Sequence, residues 1–527
     1  MRICFLFILF LSTLLNADAQ QKISVDVCIY GASSGGVIAA YTAAKLGKKV
    51  ILVSPSAHLG GLSSGGLGNT DIGNKTAITG MSRDFYHRIG MHYGKPEQWI
   101  FEPHVAEDIF KDYIHEAGVT VLYRQFLAKV LHKENLIREI QTTSVDSKPN
   151  LKGYRILAKE YIDCSYEGDL MALAGVSYTV GRENNQKYHE TVNGVQLLDK
   201  HQFPDGVDPY KEAGVAESGL LWGISPDTLA AQGSGDRKIQ AYNFRLCLTD
   251  SVENRLEIKR PADYDSSRYE LLLLVIKIKN PKSLEEGILN INLMPGRKTD
   301  INNNGPFSTD MIGMNYEYPD GNAETRGQIF RDHKKYTQGL LYFLGHDSRV
   351  PEHLRNEMLR WGYPRDEYTD NDHWSPQLYI RESRRMIGEY IMTEGNCTGK
   401  LNVQDGIGLA AYTMDSHNCE RVIVHGMVKN EGDVQVGGFP PYPVSYRSIV
   451  PRQNECSNLF VPVCLSASHI AYGSIRMEPV FMVLGQSAAE AAVMAINLKL
   501  PVQKIPVGKL QKELQDNPLV RVPPLQK

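Results

Sequence analysis

Residues 26–69 read DVCIYGASSGGVIAAYTAAKLGKKVILVSPSAHLGGLSSGGLGN. Val25–Tyr30 is a short apolar run with β propensity, and Gly31 with the Gly35-Gly36 pair brackets a tight turn. Val37–Leu46 is small and apolar enough for a helix packed closely on a sheet, Gly47 suits its C-terminal end, and Val50–Val53 reads as a second buried strand. The unit is β-turn-α-β with glycines at the helix opening. There, unpaired N–H groups and the positive end of the helix dipole favour a pyrophosphate. The dinucleotide fingerprint G-x-G-x-x-G is met as Gly31-x-Ser33-x-x-Gly36, with Ser33 where the middle glycine belongs. The acid expected about twenty residues on, at the ribose, is replaced by Ser54-Pro55.

Outward from this unit, His58–Gly66 adds a second glycine cluster, HLGGLSSGG. Such a cluster after the second strand resembles flavoproteins, where it follows the phosphates and ribityl chain, so FAD is the expected cofactor. Only one glycine-rich βαβ start is convincing, which gives no sign of an NAD(P) domain.

The chain of 527 residues allows two or three domains and a sizeable core. Its formal charge of −3 gives no support for nucleic acid or an anionic membrane as partner. Residues 1–19 read as a signal peptide: Arg2, an apolar run Ile3–Leu15, then Ala17-Asp18-Ala19 as a cleavage site. The run is short for a membrane span of about 20 residues, and no stable span is expected in the mature chain. The expected address is exported, periplasmic or secreted. Eight cysteines, one of them in the signal peptide, leave an odd number, which argues against a full disulfide framework. Cys397 with Cys419 and Cys456 with Cys464 are the candidate pairs, against scattered buried thiols. No His/Cys cluster has metal-ligand spacing.

Further along, helices are expected over 80–93 and 105–117, a strand over 119–123, a hairpin over 128–142 and one strand over 155–163. The last runs into Asp163-Cys164-Ser165-Tyr166-Glu167-Gly168-Asp169, where Asp163 is a candidate cofactor contact and helix capping is its competing role. From about Gly181 the β-α alternation disappears and polar turns dominate. The expected organisation is signal peptide 1–19, FAD domain 22–180 and 395–500, inserted substrate or cap domain 181–394, and tail 501–527.

Five ordered blocks carry a family resemblance: residues 31–68, IDCSYEGDLMALAGVSYTVGRE from Ile162, YIRESRRMIGEYIMTE from Tyr379, PYPVSYRSIVPR from Pro441, and SASHIAYGSIRMEPVFMVLGQSAAEAA from Ser466. Together they resemble the bacterial FAD-dependent oxidoreductases found in secreted or carbohydrate-related contexts, across residues 25–498. The resemblance implies the glutathione-reductase-like architecture. That is an α/β fold with a Rossmann-type FAD-binding domain built from both ends of the chain and an inserted α+β, β-rich substrate domain. It implies cofactor contacts at Gly31, Ser33 and Gly36, at Ser54, at Gly60, Gly61, Ser63 and Ser64, and at Gly485 and Gln486.

A flavin oxidises a substrate C–H by accepting hydride, and the protein supplies position, charge and a base. Histidine suits the base: His469, in the segment expected to return to the flavin, is the first candidate and His417 the second. Arg476 and Arg385 are candidates for stabilising an anionic flavin or an acidic substrate group. For Arg385 the competing role is an ion-pair network at the domain seam. His58 is a minor candidate for a covalent flavin link. The leading expectation is oxidation of a hydroxyl carbon of a small molecule, with a sugar suggested only by context and the electron acceptor open. The alternatives are reduction of an unsaturated acid and, from another class, a carbohydrate-binding or lyase-type protein with a vestigial flavin fold.

Overall fold

The computed structural model describes residues 21–144 and 153–516. The expected signal peptide and the end of the tail lie outside the described residues.

At the centre is a five-stranded parallel sheet: β2 (Val27–Tyr30), β3 (Val50–Val53), β4 (Thr120–Leu122), β8 (Glu160–Asp163) and β11 (Leu459–Phe460). The spatial order is β11-β8-β2-β3-β4. Strands β2, β3 and β8 are buried along their whole length, as a parallel sheet covered on both faces requires. Helix α1 (Ser34–Lys45) follows β2 directly. Ser33 caps it, its hydroxyl accepting from the Gly36 N–H, and Gly47 in the left-handed region (φ 80°) turns the chain out of it. Two more helices of this half, α2 (Gly80–His92) and α3 (Pro103–Ala117, closed by left-handed Gly118), lie where the apolar spacing places them.

Beside the parallel sheet lies a second one of β1 (Gln21–Ser24), β7 (Tyr154–Leu157), β6 (Leu136–Ser144) and β5 (Gln125–Lys133). The single strand expected over 155–163 is therefore two, β7 and β8, in different sheets, and β8 leads into the short helix α4 (Asp169–Leu173). The chain steps from β7 to β8 at Ala158-Lys159, where the Asp26 carbonyl accepts from the Lys159 and Glu160 N–H groups.

The inserted region has its own core, including Tyr242, Phe244, Leu272, Tyr336, Leu340 and Trp374. It is less β-rich than expected. Its main elements are α5 (Glu270–Lys279), α6 (Ala323–His346), α7 (Glu352–Met358) and a hairpin of β9 (Leu289–Met294) with β10 (Lys298–Asn303). Residues 271–279 are helical because α5 buries Leu271, Leu272, Val275 and Ile276 on one face. A hairpin at 420–431 also packs on this core through Val428, so the lobe draws on chain beyond 394.

Residues 379–392 run mostly without regular structure: Arg385-Met386 pairs with Tyr178-Thr179, and single bridges join Tyr379 to Asn243 and Met392 to Ala467. Buried charges hold the segment extended. Strand β11 is short, Leu459–Phe460 alone. The chain closes through α8 (His469–Ile475) and α9 (Glu478–Leu498). By length and composition α9 is long and apolar enough to cross a membrane, and 94% of its apolar stretch is buried in the protein core. All seven cysteines among the described residues are free and buried, so neither candidate pair is bridged.

Candidate active site

A groove opens at the carboxyl ends of β2, β3 and β8. Gly31, Ser33, Ser54, Gly61 and Tyr166 are among its walls, with Gln377 of the lobe opposite. Gly31 takes φ 95°, and a Cβ there would overlap the backbone of Cys164 and Ser165. A Cβ at Gly36 would overlap the Gly31 carbonyl, so Gly36 tightens the turn from below and does not face the groove. In α1 the Gly36 N–H goes to Ser33 Oγ and the Val37 N–H to the Ser33 carbonyl. Those of Ser34 and Gly35 find no acceptor among the described residues. These two open donors at a helix N-terminus, beside glycines, fit the diphosphate of a dinucleotide. Ser54 Oγ is turned onto its own loop, at 2.9 Å from the Ser56 carbonyl, and supplies no carboxylate for a ribose. His58 lines the groove, with Nδ1 3.2 Å from Glu107.

The groove is constricted. Its free volume is about 90 Å³, below the roughly 300 Å³ at which ligand pockets begin. Tyr166 crosses it: its hydroxyl accepts from the Leu62 N–H at 2.9 Å and donates to Glu478 Oε1 at 2.6 Å. Glu478 Oε2 also accepts from Ser34 Oγ at 2.5 Å and Ser63 Oγ at 3.2 Å. The donor set thus fits FAD at the diphosphate, and Tyr166 is the side chain that crosses and narrows the space beside it.

The second glycine cluster leads from this groove to a larger cavity. Gly60 bridges Ser33 and packs on Phe110, Ser64 Oγ donates to the Leu59 carbonyl, Gly65 lies against Gln377, and Gly66 lies against Arg245. Three residues on, Asn69 lines the cavity, which holds about 380 Å³. Its wall is amide-rich: Asn290 and Asn302 face each other in register on β9 and β10, with Asn69 and Gln435 nearby. The Asn302 carbonyl oxygen is taken by Asn243 Nδ2 at 2.9 Å, leaving its N–H groups to the cavity. Tyr379 and Tyr412 add aromatic surface.

On this wall His417 stands between two carboxylates, with Nδ1 2.7 Å from Asp310 and Nε2 3.6 Å from Asp415. Burial and Arg381 push the imidazole down, but Asp310 and Asp415 outweigh them and its pKa is raised. Asp415 is held well below the carboxylate range: burial opposes this, and His417 and Arg476 outweigh burial. Arg476 sits one step behind the cavity, 2.8 Å from Tyr379 Oη and 3.0 Å from Asp415 Oδ2.

The other expected residues are placed differently. His469 is 2% exposed, with Nδ1 2.8 Å from Glu382 and Nε2 3.0 Å from Ser416 Oγ, so both ring nitrogens are engaged inside the seam. Arg385 is fully buried between Glu183 (2.7 Å) and Glu382 (3.0 Å), the ion-pair network and not a guanidinium over a cofactor. Asp163 caps its own turn, accepting from Ser165 and from the Met171 N–H at 2.8 Å, and burial pushes its carboxyl up to about 7. Gly485 and Gln486, expected as cofactor contacts, lie two turns inside α9, which begins at Glu478. Gly485 instead packs against the Gly35 carbonyl, and Gln486 Oε1 accepts from the Met81 N–H at 2.8 Å.

Sequence reasoning missed Glu478, Tyr166, Asp310, Tyr379 and the asparagine hairpin. For Glu478 a signal existed, since Pro479 sits in the first turn of α9, where helices begin. A further cluster of Glu102, His104 and Glu367 already has its cation, Lys298 Nζ at 2.9 Å from Glu102 and 2.6 Å from Glu367.

A family model described as FAD dependent oxidoreductase matches residues 26–514. No curated protein matches the chain. Solved structures that resemble parts of it include OxyS anhydrotetracycline hydroxylase from Streptomyces rimosus, with 11% identity over 34% of this chain and a TM-score of 0.25. THI4 from Thermovibrio ammonificans shows 21% identity over 30% of this chain and a TM-score of 0.24. L-proline dehydrogenase from P. horikoshii shows 15% identity over 32% and a TM-score of 0.19. The matches span 36%, 66% and 26% of those three chains. Likenesses this partial carry no argument about activity.

Proposed function

This chain belongs to the FAD-dependent oxidoreductase family, and we propose that it oxidises a hydroxyl-bearing carbon of an uncharged, polyhydroxylated small molecule. The observation that carries this is His417, held between Asp310 and Asp415 on the wall of an amide-lined cavity. Bound FAD supplies the hydride acceptor. Ser34 and Gly35 of α1, with Ser33 and Gly61, would hold its diphosphate. Primary amides offer one acceptor and two donors each, a good match for hydroxyl groups, and the two tyrosines offer faces to a sugar ring.

His417 takes the hydroxyl proton at Nε2 in its neutral form, because Asp415 at 3.6 Å lies beyond hydrogen-bond distance of that nitrogen. Asp310 at Nδ1 holds the ring and stabilises the imidazolium that results. Because its pKa is raised, the base form is populated only at higher pH, and turnover should rise with pH through that value. Reduction of an unsaturated acid bound by arginine would need a free guanidinium. Arg245 is already bidentate with Asp300 (2.6 Å to each oxygen) and Arg476 is paired with Asp415, so such an acid would rely on Lys200 of the cavity wall.

Export belongs to the same proposal, supported by the pattern of residues 1–19. N-terminal sequencing of secreted material should begin at or near Gln20, and an intact Met1 would refute it. The reaction is tested by mixing the FAD-loaded protein anaerobically with neutral sugars and with unsaturated acids. Bleaching of the flavin by a sugar supports the proposal. Reoxidation of reduced flavin by the acid alone would overturn it.

A further inference from the structure

Glu478 is 3% exposed and joins three separate segments at the groove. It takes the hydroxyl of Ser34, the first residue of α1, of Ser63 in the second glycine cluster, and of Tyr166 after β8. These are the segments between which a diphosphate would run. The carboxyl therefore lies at the same helix opening whose Ser34 and Gly35 N–H groups are free. No cation faces it. The titratable groups around it are Tyr166 and, from α2, Tyr86, both of them neutral. Arg476, two residues earlier, is turned to Tyr379 and Asp415. Across the groove, His58 is engaged by Glu107 and Asp370.

Two anions at one buried helix opening repel each other strongly, and the cheaper solution is for the weaker acid to take a proton. A neutral carboxyl can also donate a hydrogen bond to a phosphate oxygen, which a carboxylate cannot. Resting on the reading of the α1 opening as the diphosphate seat, we propose that Glu478 is a positioning residue for FAD whose carboxyl takes up one proton from solvent as FAD binds. Burial already pushes this carboxyl up to about 7 before any ligand arrives. In the neutral state its hold on Tyr166 weakens, because a carboxylic acid is a poorer acceptor than a carboxylate, and the side chain that narrows the groove is released.

The test is the FAD dissociation constant of the apoprotein, read by flavin fluorescence quenching from about pH 6 to about pH 9. One proton taken up makes binding weaken by about tenfold per pH unit above the free carboxyl's pKa. Wild type should follow that slope above about 7, and Glu478→Gln should be flat. Calorimetry in two buffers of different ionisation enthalpy should show proton uptake by wild type and none by the variant. His58→Gln separates the other titrating group of the groove and should keep the slope. Should Glu478→Gln not fold, Ser63→Ala serves: it removes a hydrogen bond that favours the carboxylate, so the pH at which affinity begins to fall moves upward. A flat wild-type profile, a slope retained in Glu478→Gln or lost in His58→Gln, or an unmoved midpoint in Ser63→Ala overturns the proposal. Absence of FAD binding at every pH would overturn the diphosphate seat itself, and the proposal with it.

Discussion

The groove at α1 and the cavity under the lobe lie along one glycine-rich segment, yet they are built from opposite materials. The groove works with backbone: N–H groups at a helix opening, two left-handed glycines (φ 95° and 56° at Gly31 and Gly61) and small hydroxyls. The cavity works with side chains from segments hundreds of residues apart, with Asp310 facing His417 across the seam of the two cores. A backbone site tolerates variation in side chains and fails when a Cβ is added. A side-chain site fails when one functional group is lost and tolerates small changes of shape.

That contrast can be broken or sharpened by experiment. The largest effect is expected at His417. His417→Ala should lower kcat by about 10²- to 10⁴-fold, the usual worth of a general base, with the bound-flavin spectrum unchanged. A proportional loss of flavin would instead merge the two sites.

Next comes the pH dependence of stability in the lobe. Burial depresses the folded pKa of His333 to about 4 from 6.5, so its contribution is present above 6.5 and lost as pH falls through about 4. That amounts to roughly 3 kcal/mol, to be read from urea unfolding midpoints with His333→Gln as the flattened control. The FAD half runs the other way. Glu478 and Glu490 are raised by burial to about 7 from 4.5, so their contribution is present below 4.5 and lost as pH rises through about 7.

Gly36→Ala should destabilise by about 1–3 kcal/mol, as overpacking does, because the new Cβ meets the Gly31 carbonyl, a backbone atom that cannot step aside. Its melting temperature and FAD affinity should fall together, while a sugar that still bleaches the bound flavin keeps its KM. The smallest change is expected for Asn302→Ala, which removes an amide the cavity uses. KM should rise about 3- to 10-fold, the worth of a neutral hydrogen bond near 1 kcal/mol, with flavin binding unaltered.

How much was legible follows the same division. Gly31, Ser33, Ser54 and Gly61 were readable and line the groove, because they lie within one βαβ unit and its continuation. His417 was readable only as a histidine near Asp415; Asp310, its closer partner, had no local mark. His469 carried the same residue-type signal as His417, but the cavity is lined by His417 alone of the two: Glu382 and Ser416 hold His469 inside the seam, as Glu183 and Glu382 hold Arg385. Gly485 and Gln486 lie two turns inside α9, and an alanine-rich run does not mark where its helix begins.

By itself the sequence determined the parallel sheet, the capped first helix, the glycine-lined turn and membership in an FAD-dependent family. Each of these is encoded by neighbours in the chain, where sterics and hydrogen-bonding partners are set locally. Only the tertiary structure decided which charges meet. It set Asp310 beside His417, Glu382 beside His469, and Glu478 at the opening of α1. Ion pairs and buried carboxyls depend on distances across the fold and on exclusion of water, and neither is written in residue order.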